Sequence, residues 1–268
     1  MPRIAWSTDI HLNFLGTQQI EVFLQSVKTQ SPDIYIISGD IGEARSIYDY
    51  LRRIADTLAI PIYFVLGNHD FYHGGIQHVR MGIIKLIQEV ENLHWLNAET
   101  VVELTKDVGL LGHDGWGDGR YGDFFNSSVM LNDYVMIQDL TNIPHDVRLE
   151  KLHKLGDEAG KHIRKVLPLA CKQYKRVYVM MHAPPFQESC WHEGESATDD
   201  SPYLPHFTCK AMGDALLEIV PKFPDCEVTV LCGHTHGSGT YQALPNLLVI
   251  TGGAEYTKPT VNRVFDLS

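Results

Sequence analysis

Residues 33–42 read DIYIISGDIG, and this stretch decides how the chain folds. A short run rich in β-branched and aromatic side chains ends at Asp40, a carboxylate between two glycines. Such a run reads as a buried strand. Its glycines permit a sharp turn and a close backbone approach just past the strand end. Four other runs share the design: Arg3–Ser7, Ile62–Leu66, Val177–Met181 and Val228–Cys232. They stop at Asp9-Ile10-His11, Gly67-Asn68-His69-Asp70, His182-Ala183-Pro184-Pro185 and Gly233-His234-Thr235-His236. In α/β sheets, ligand sites lie beyond the carboxyl ends of the strands. Five neighbouring strands would therefore bring metal-competent side chains to one rim.

The segments between the runs are helical. Ile20, Phe23, Leu24 and Val27 follow the first strand at helical spacing, and Ile47, Leu51, Ile54 and Leu58 follow the second. Ile83, Ile87 and Val90 mark a third helix. The order βαβαβα predicts a parallel sheet with crossover helices. Short strand-like pieces at His94-Trp95, Val101–Leu104 and Val108–Leu111 suggest a second set of strands. Residues 147–167 read as a helix stopped by Pro168, and 187–208 as a long loop. Met212, Ala215, Leu216 and Ile219 mark a last helix. Strands are expected at 239–243, 247–251 and 261–266. No linker or fixed-period repeat divides the chain, so residues 1–268 read as one domain.

The chain has 268 residues, 44% of them apolar and 21% charged, a size and balance that support a large core. Its 22 Lys and Arg against 33 Asp and Glu leave a net charge of −11, so nucleic acid is not an expected partner. Five cysteines without a C-x-x-C pair, and a first strand that begins at Arg3, read as reduced thiols in a cytoplasmic protein. No apolar run reaches transmembrane length.

Asp9 and His11, like His234 and His236, are spaced i and i+2. In extended chain such side chains share a face and can reach one cation. Seven candidates emerge: Asp9, His11, Asp40, Asn68, His182, His234 and His236. One ion would not take seven ligands of this kind, whereas two ions sharing a carboxylate would. Carboxylates, imidazoles and one amide suit Mn, Fe or Zn better than an all-oxygen cage for Ca or Mg. Paired cations suit displacement at phosphorus, where a bridging hydroxide is the nucleophile. His69 is surplus to the ligand count and is left free for proton transfer. Asp70 is read either as its orienting partner or as a structural turn carboxylate.

Taken together, Asp9-x-His11, Gly39-Asp40, Gly67-Asn68-His69-Asp70, His182 and Gly233-His234-x-His236 resemble the calcineurin-like metallophosphoesterase superfamily. The motifs stand in that family's order across residues 9 to 236. The resemblance implies a four-layer αββα sandwich, two mixed β-sheets flanked by helices, with a dinuclear site at the strand ends. It implies that Asp9, His11, Asp40 and His236 hold one metal and that Asp40, Asn68, His182 and His234 hold the other, with Asp40 bridging. His69 would contact the phosphate and protonate the leaving group. Two departures concern neighbouring positions. Many members carry Glu where Asp70 stands, and Gly42-Glu43-Ala44 replaces a further Asp.

The expected activity is hydrolysis of a small phosphate mono- or diester. A nuclease on the same scaffold and a non-catalytic binding module are the rivals. The loop 113–125, with Asp114, Asp118, Arg120 and Asp123, reads either as a substrate loop in which Arg120 grips phosphate or as a loop that satisfies its own backbone. His192 is the one residue of 187–208 with a claim on the substrate. The stretch Gly252–Tyr256 reads either as a segment passing near the site or, preferably, as a plain turn, and the oligomeric state is open.

Overall fold

The structure is a computed structural model that describes residues 2–267. In chain order its elements are β1 (Arg3–Ser7), α1 (Thr17–Thr29), β2 (Ile34–Ser38), α2 (Ile47–Leu58), β3 (Ile62–Val65), α3 (Ile76–Glu89), β4 (Leu93–Trp95), β5 (Val102–Thr105) and β6 (Val108–Gly112). There follow α4 (Asp133–Met136), α5 (His145–Gln173), β7 (Arg176–Met180), β8 (Trp191–His192), β9 (Glu195–Ser196), α6 (Leu204–Phe207) and α7 (Lys210–Ile219). The chain closes with β10 (Glu227–Cys232), β11 (Gly239–Leu244), β12 (Leu247–Thr251) and β13 (Arg263–Asp266).

The strands form two large mixed sheets. The first runs β13-β1-β2-β3-β4, with β1 to β4 parallel and β13 antiparallel. The second runs β11-β12-β10-β7-β6-β5, parallel at its centre and antiparallel at both edges. Strand alternation explains why they stack. On β1, Ile4 and Trp6 join the layer between the sheets, while Ala5 joins the helix layer; on β2, Ile36 does the first and Tyr35 and Ile37 the second. Met180, Leu231 and Ile250 supply the facing side of the inter-sheet layer. Helices α1 to α3 cover the first sheet, and α5 and α7 cover the second through Ile163, Leu167, Met212 and Leu216. The result is the αββα sandwich.

Three local expectations fail for physical reasons. β4 does not join the second set of strands but extends the first sheet, pairing Ile62 with Leu93 and Phe64 with Trp95. Pro168 lies inside α5 rather than ending it. Its ring removes one hydrogen bond to the carbonyl of Arg164, which stands on the exposed side where water can replace it. Beyond it Ala170 and Cys171 are still buried, so packing carries the helix past the proline. Residues 187–208 are not a bare loop; they hold the β8–β9 hairpin and α6.

Candidate metal centre

The rim is built from turns that L-residues adopt at a cost. Asp9, His11, Asp40, His234 and His236 have φ of 50°, 40°, 54°, 70° and 59°, all in the left-handed region. Asp and His tolerate it better than most residues, yet each such position costs roughly 1–2 kcal/mol. This corrects the extended-chain reading of Asp9 and His11: β1 ends at Ser7, and a turn aims both side chains inward. Cross-strand bonds hold the turns. Asp9 N–H donates to Gly39 (3.1 Å) and His11 N–H to Asp40 (2.9 Å); Gly233 N–H donates to His182 (2.9 Å). Two glycines leave room for the carboxylates. A Cβ on Gly67 would stand 2.1 Å from Asp40 Oδ1, and one on Gly233 2.1 Å from Asp9 Oδ2.

These turns gather the seven side chains expected at the rim. Among the described residues, Asp9, His11, Asp40 and His236 form one candidate metal-binding group, and Asp40, His182 and His234 another. Within each group the donor atoms lie within 4.8 Å of one another. Asp40 belongs to both. Its Oδ2 is 3.7 Å from His11 Nε2, and its Oδ1 is 3.4 Å from His182 Nε2. His236 Nε2 is 3.5 Å from Asp9 Oδ1. Asn68 borders the second group, with Oδ1 3.1 Å from His182 Nε2. Its amide is oriented by Asp133, which accepts from Asn68 Nδ2 at 2.7 Å and from the Tyr72 hydroxyl at 2.8 Å.

The donor chemistry fits divalent cations. His11 Nε2 and His236 Nε2 converge to 3.1 Å, a spacing at which both can face one cation. Burial lowers His11 to about 3 and His234 to about 3, so both imidazoles are neutral, the form that binds metal. Each of two rings has a carbonyl to which a nitrogen can donate: His182 Nδ1 lies 2.9 Å from the Ser38 carbonyl, and His234 Nε2 lies 3.3 Å from the His206 carbonyl. Burial alone would raise Asp40 and lower His182. Their mutual attraction wins, with His69 and His11 adding to it. Asp40 is held well below the usual carboxylate range, and His182 is lifted to about 10. Burial pushes Asp9 up, and Asp40 adds to the push.

His69 stands at the mouth, its side chain 12% exposed and its Nε2 3.9 Å from Asp40 Oδ2. Its ring stacks on Tyr72 at 4.2 Å and meets His11 edge-on at 4.6 Å. Asp70 does not orient this ring. Its Oδ1 accepts from Ile41 and Gly42 N–H and its Oδ2 from Gly67 N–H, all at 2.8 Å, while His69 Nδ1 is buried without a partner. These bonds favour the turn reading of Asp70, since three buried amides need an acceptor. The Arg120 guanidinium is likewise engaged within the fold. Its guanidinium reaches Asp118 (2.9 Å), Asp157 (2.6 Å) and the His153 carbonyl (3.3 Å), fastening the 113–125 loop to α5. His192 is nearer the chemistry. Its ring packs on Tyr203 at 4.3 Å and Phe207 at 5.3 Å, and Phe207 lies 4.9 Å from the His234 ring.

Three neighbours were not foreseen, and a fourth was ranked low. Asp133 carried no sequence signal. Tyr72 sits just after the His69 cluster, which was the available clue. The Thr8 hydroxyl donates to Asp9 at 2.6 Å. Tyr256, in the segment whose sequence favours a plain turn over passage near the site, lies 4.7 Å from the His11 ring and 4.8 Å from the His236 ring.

Comparison with known proteins agrees with this geometry. The family model described as calcineurin-like phosphoesterase matches residues 2–238. A transmembrane protein with a metallophosphoesterase domain from Bos taurus is 29% identical over 82 residues, which is 28% of this chain and 18% of that protein. The match thus spans under a fifth of that relative. No helix among the described residues is long and apolar enough to cross a membrane. Among solved structures, a phosphopantetheinyl hydrolase from Mycobacterium tuberculosis aligns with a TM-score of 0.68 at 13% identity, covering 96% of this chain and 90% of that one. A dimetal phosphatase from Danio rerio aligns at 0.60 and 11%, covering 96% and 89%. At these identities the likeness is one of fold.

Proposed function

Because the chain belongs to the calcineurin-like phosphoesterase family, we propose that it is a two-metal hydrolase of phosphate mono- or diesters. In this reading Asp9, His11, Asp40 and His236 hold one divalent cation, and Asp40, Asn68, His182 and His234 hold a second, with Mn, Fe or Zn the best match to the donors. Cations held there acidify water and offset charge on phosphoryl oxygens. The protein's own contribution is placement. Asp133 fixes the Asn68 carbonyl toward the centre, and the His206 and Ser38 carbonyls set the hydrogens of His234 and His182. His69, at the mouth and outside both donor groups, is placed to give a proton to a departing alkoxide. His192 borders the substrate beside Phe207, and Arg120 has no part in the chemistry.

The observation that carries the proposal is Asp40, which faces both donor groups with different oxygens. The inter-sheet apolar layer supports one domain over 1–268, and five free buried thiols support a reducing, cytoplasmic setting. A net charge of −11 favours a small substrate over nucleic acid. The test is elemental analysis joined to turnover of mono- and diester substrates after reconstitution with Mn, Fe or Zn. Two metals per chain and metal-dependent turnover are expected. Metal uptake without turnover of any phosphoester would leave the binding-module rival standing instead.

A further inference from the structure

Two aromatic rings stand bare at the mouth of this charged centre. Phe14 is 48% and Tyr256 is 44% exposed, and the rings meet edge to face at 5.0 Å. Tyr256 lies against His11 and His236, and Phe14 is 5.9 Å from His11. The pair therefore flanks one donor group and leaves apolar surface open beside it. The backbone that carries Tyr256 is firmly held. Ala254 N–H donates to the His236 carbonyl (3.0 Å), and Asn262 Nδ2 donates to Gly253 (2.7 Å). Thr8 N–H donates to Asn262 Oδ1 (3.0 Å), and the Ser7 hydroxyl to Thr260 (2.8 Å). The β12–β13 segment is thus tied both to the end of β1 and to His236. It also lies beyond residues 2–238, so the family match does not account for it.

We propose that Tyr256 and Phe14 form an aromatic platform that selects phosphoesters whose leaving group carries a planar ring. The inference rests on the phosphoesterase reading above. With phosphate over the imidazoles, a ring on the leaving group can stack on Tyr256 and cover surface that a small alkyl group leaves wet. Because the Tyr256 ring touches the imidazoles themselves, the favoured ring is close to phosphorus. Aryl phosphates meet that condition more fully than nucleoside phosphates, whose base stands a sugar away.

The test compares metal-reconstituted wild type, Tyr256→Ala, Tyr256→Phe and Phe14→Ala on phenyl phosphate, a nucleoside 5′-monophosphate and methyl phosphate. The ratio of variant to wild type within each substrate cancels leaving-group reactivity. Tyr256→Ala should lose about tenfold more kcat/KM on phenyl phosphate than on methyl phosphate, mostly through KM, and Phe14→Ala less. Tyr256→Phe should keep the selectivity. Equal losses on both esters overturn the platform, as does a Tyr256→Phe variant that loses as much as Tyr256→Ala, since the hydroxyl and not the ring would then matter. A larger loss on the nucleotide than on phenyl phosphate overturns the placement close to phosphorus. Calorimetry on the metal-loaded wild type needs no variant: phenylphosphonate should bind about tenfold tighter than methylphosphonate, and equal affinities sink the inference. Tighter phenylphosphonate binding without turnover of any ester would instead sink the activity and keep the platform.

Discussion

Asp9 and Asp40 at the rim and Asp114 and Asp118 in the 113–125 loop are equally buried carboxylates. Their neighbours differ in kind. Asp114 accepts from Leu66 N–H, Trp95 Nε1 and Asn97 Nδ2 at 2.8–2.9 Å. Asp118 accepts from Arg120 and from Ala211 N–H. In the loop each buried oxygen is met by hydrogen-bond donors, and the charge closes on itself. At the rim, Asp9 accepts from the Thr8 hydroxyl and the His234 N–H, and Asp40 from the His69 N–H, and each also faces imidazole nitrogens. What sets the rim apart is that several metal-competent atoms converge within 4.8 Å of one another. Burial does not separate the two regions, but the convergence of imidazoles on the rim carboxylates does.

The sharpest way to break this contrast is Asp40→Ala. It should remove metal and lower kcat by roughly 10³-fold or more, read by elemental analysis and turnover. Full metal content in that variant would end the shared-ligand reading. Next, His69→Ala should keep its metal and lose roughly 10²–10³-fold in kcat, least on esters with good leaving groups. A wild-type rate on a poor leaving group would remove its acid role. On the loop side, Asp118→Ala should destabilise by about 3 kcal/mol in urea unfolding, because it strands the buried Ala211 amide and frees Arg120. Its metal content should stay at the wild-type level.

The pH response separates the regions too. His182 is lifted to about 10 by Asp40, and only its neutral form binds metal. Between pH 7 and about 10 a proton must leave as metal enters, so affinity should rise about tenfold per pH unit and flatten above. Calorimetry in buffers of different ionisation enthalpy reads that proton, and no release would refute the Asp40–His182 pairing. In the metal-free protein the raised pKa carries the opposite sign: the pair's stabilisation is complete below the unfolded value near 6.5 and is lost as pH climbs through about 10. The smallest effect belongs to Arg120→Ala, about 1 kcal/mol of stability with kcat/KM within twofold of wild type. A large rise in KM would restore Arg120 to the substrate.

Much of this was legible in the sequence because it rests on local signals. Strand runs that end in Asp, His and Asn announced both the parallel strands and the seven rim residues. What escaped depends on tertiary pairing. Nothing local tells β4 which sheet to join, and only buried contacts carry α5 past Pro168. Asp70 was ambiguous because two of the three amides that claim it, Ile41 and Gly42, lie in the turn after β2, distant in sequence. Asp133 meets Asn68 across 65 residues of chain, and Tyr256 reaches His11 across a still longer separation. Both are visible only once the sheets are stacked.

The seven rim residues are divided between the halves of the sandwich. Asp9, His11, Asp40 and Asn68 follow strands of the first sheet; His182, His234 and His236 follow strands of the second. Each donor group draws on both. Bound ions would then act as rivets through the seam, and prising the halves apart would mean expelling them. At a hundredfold excess over its Kd, an ion would add about 2.7 kcal/mol of resistance to unfolding. The catalytic inventory would double as the fastener that keeps the two layers in register.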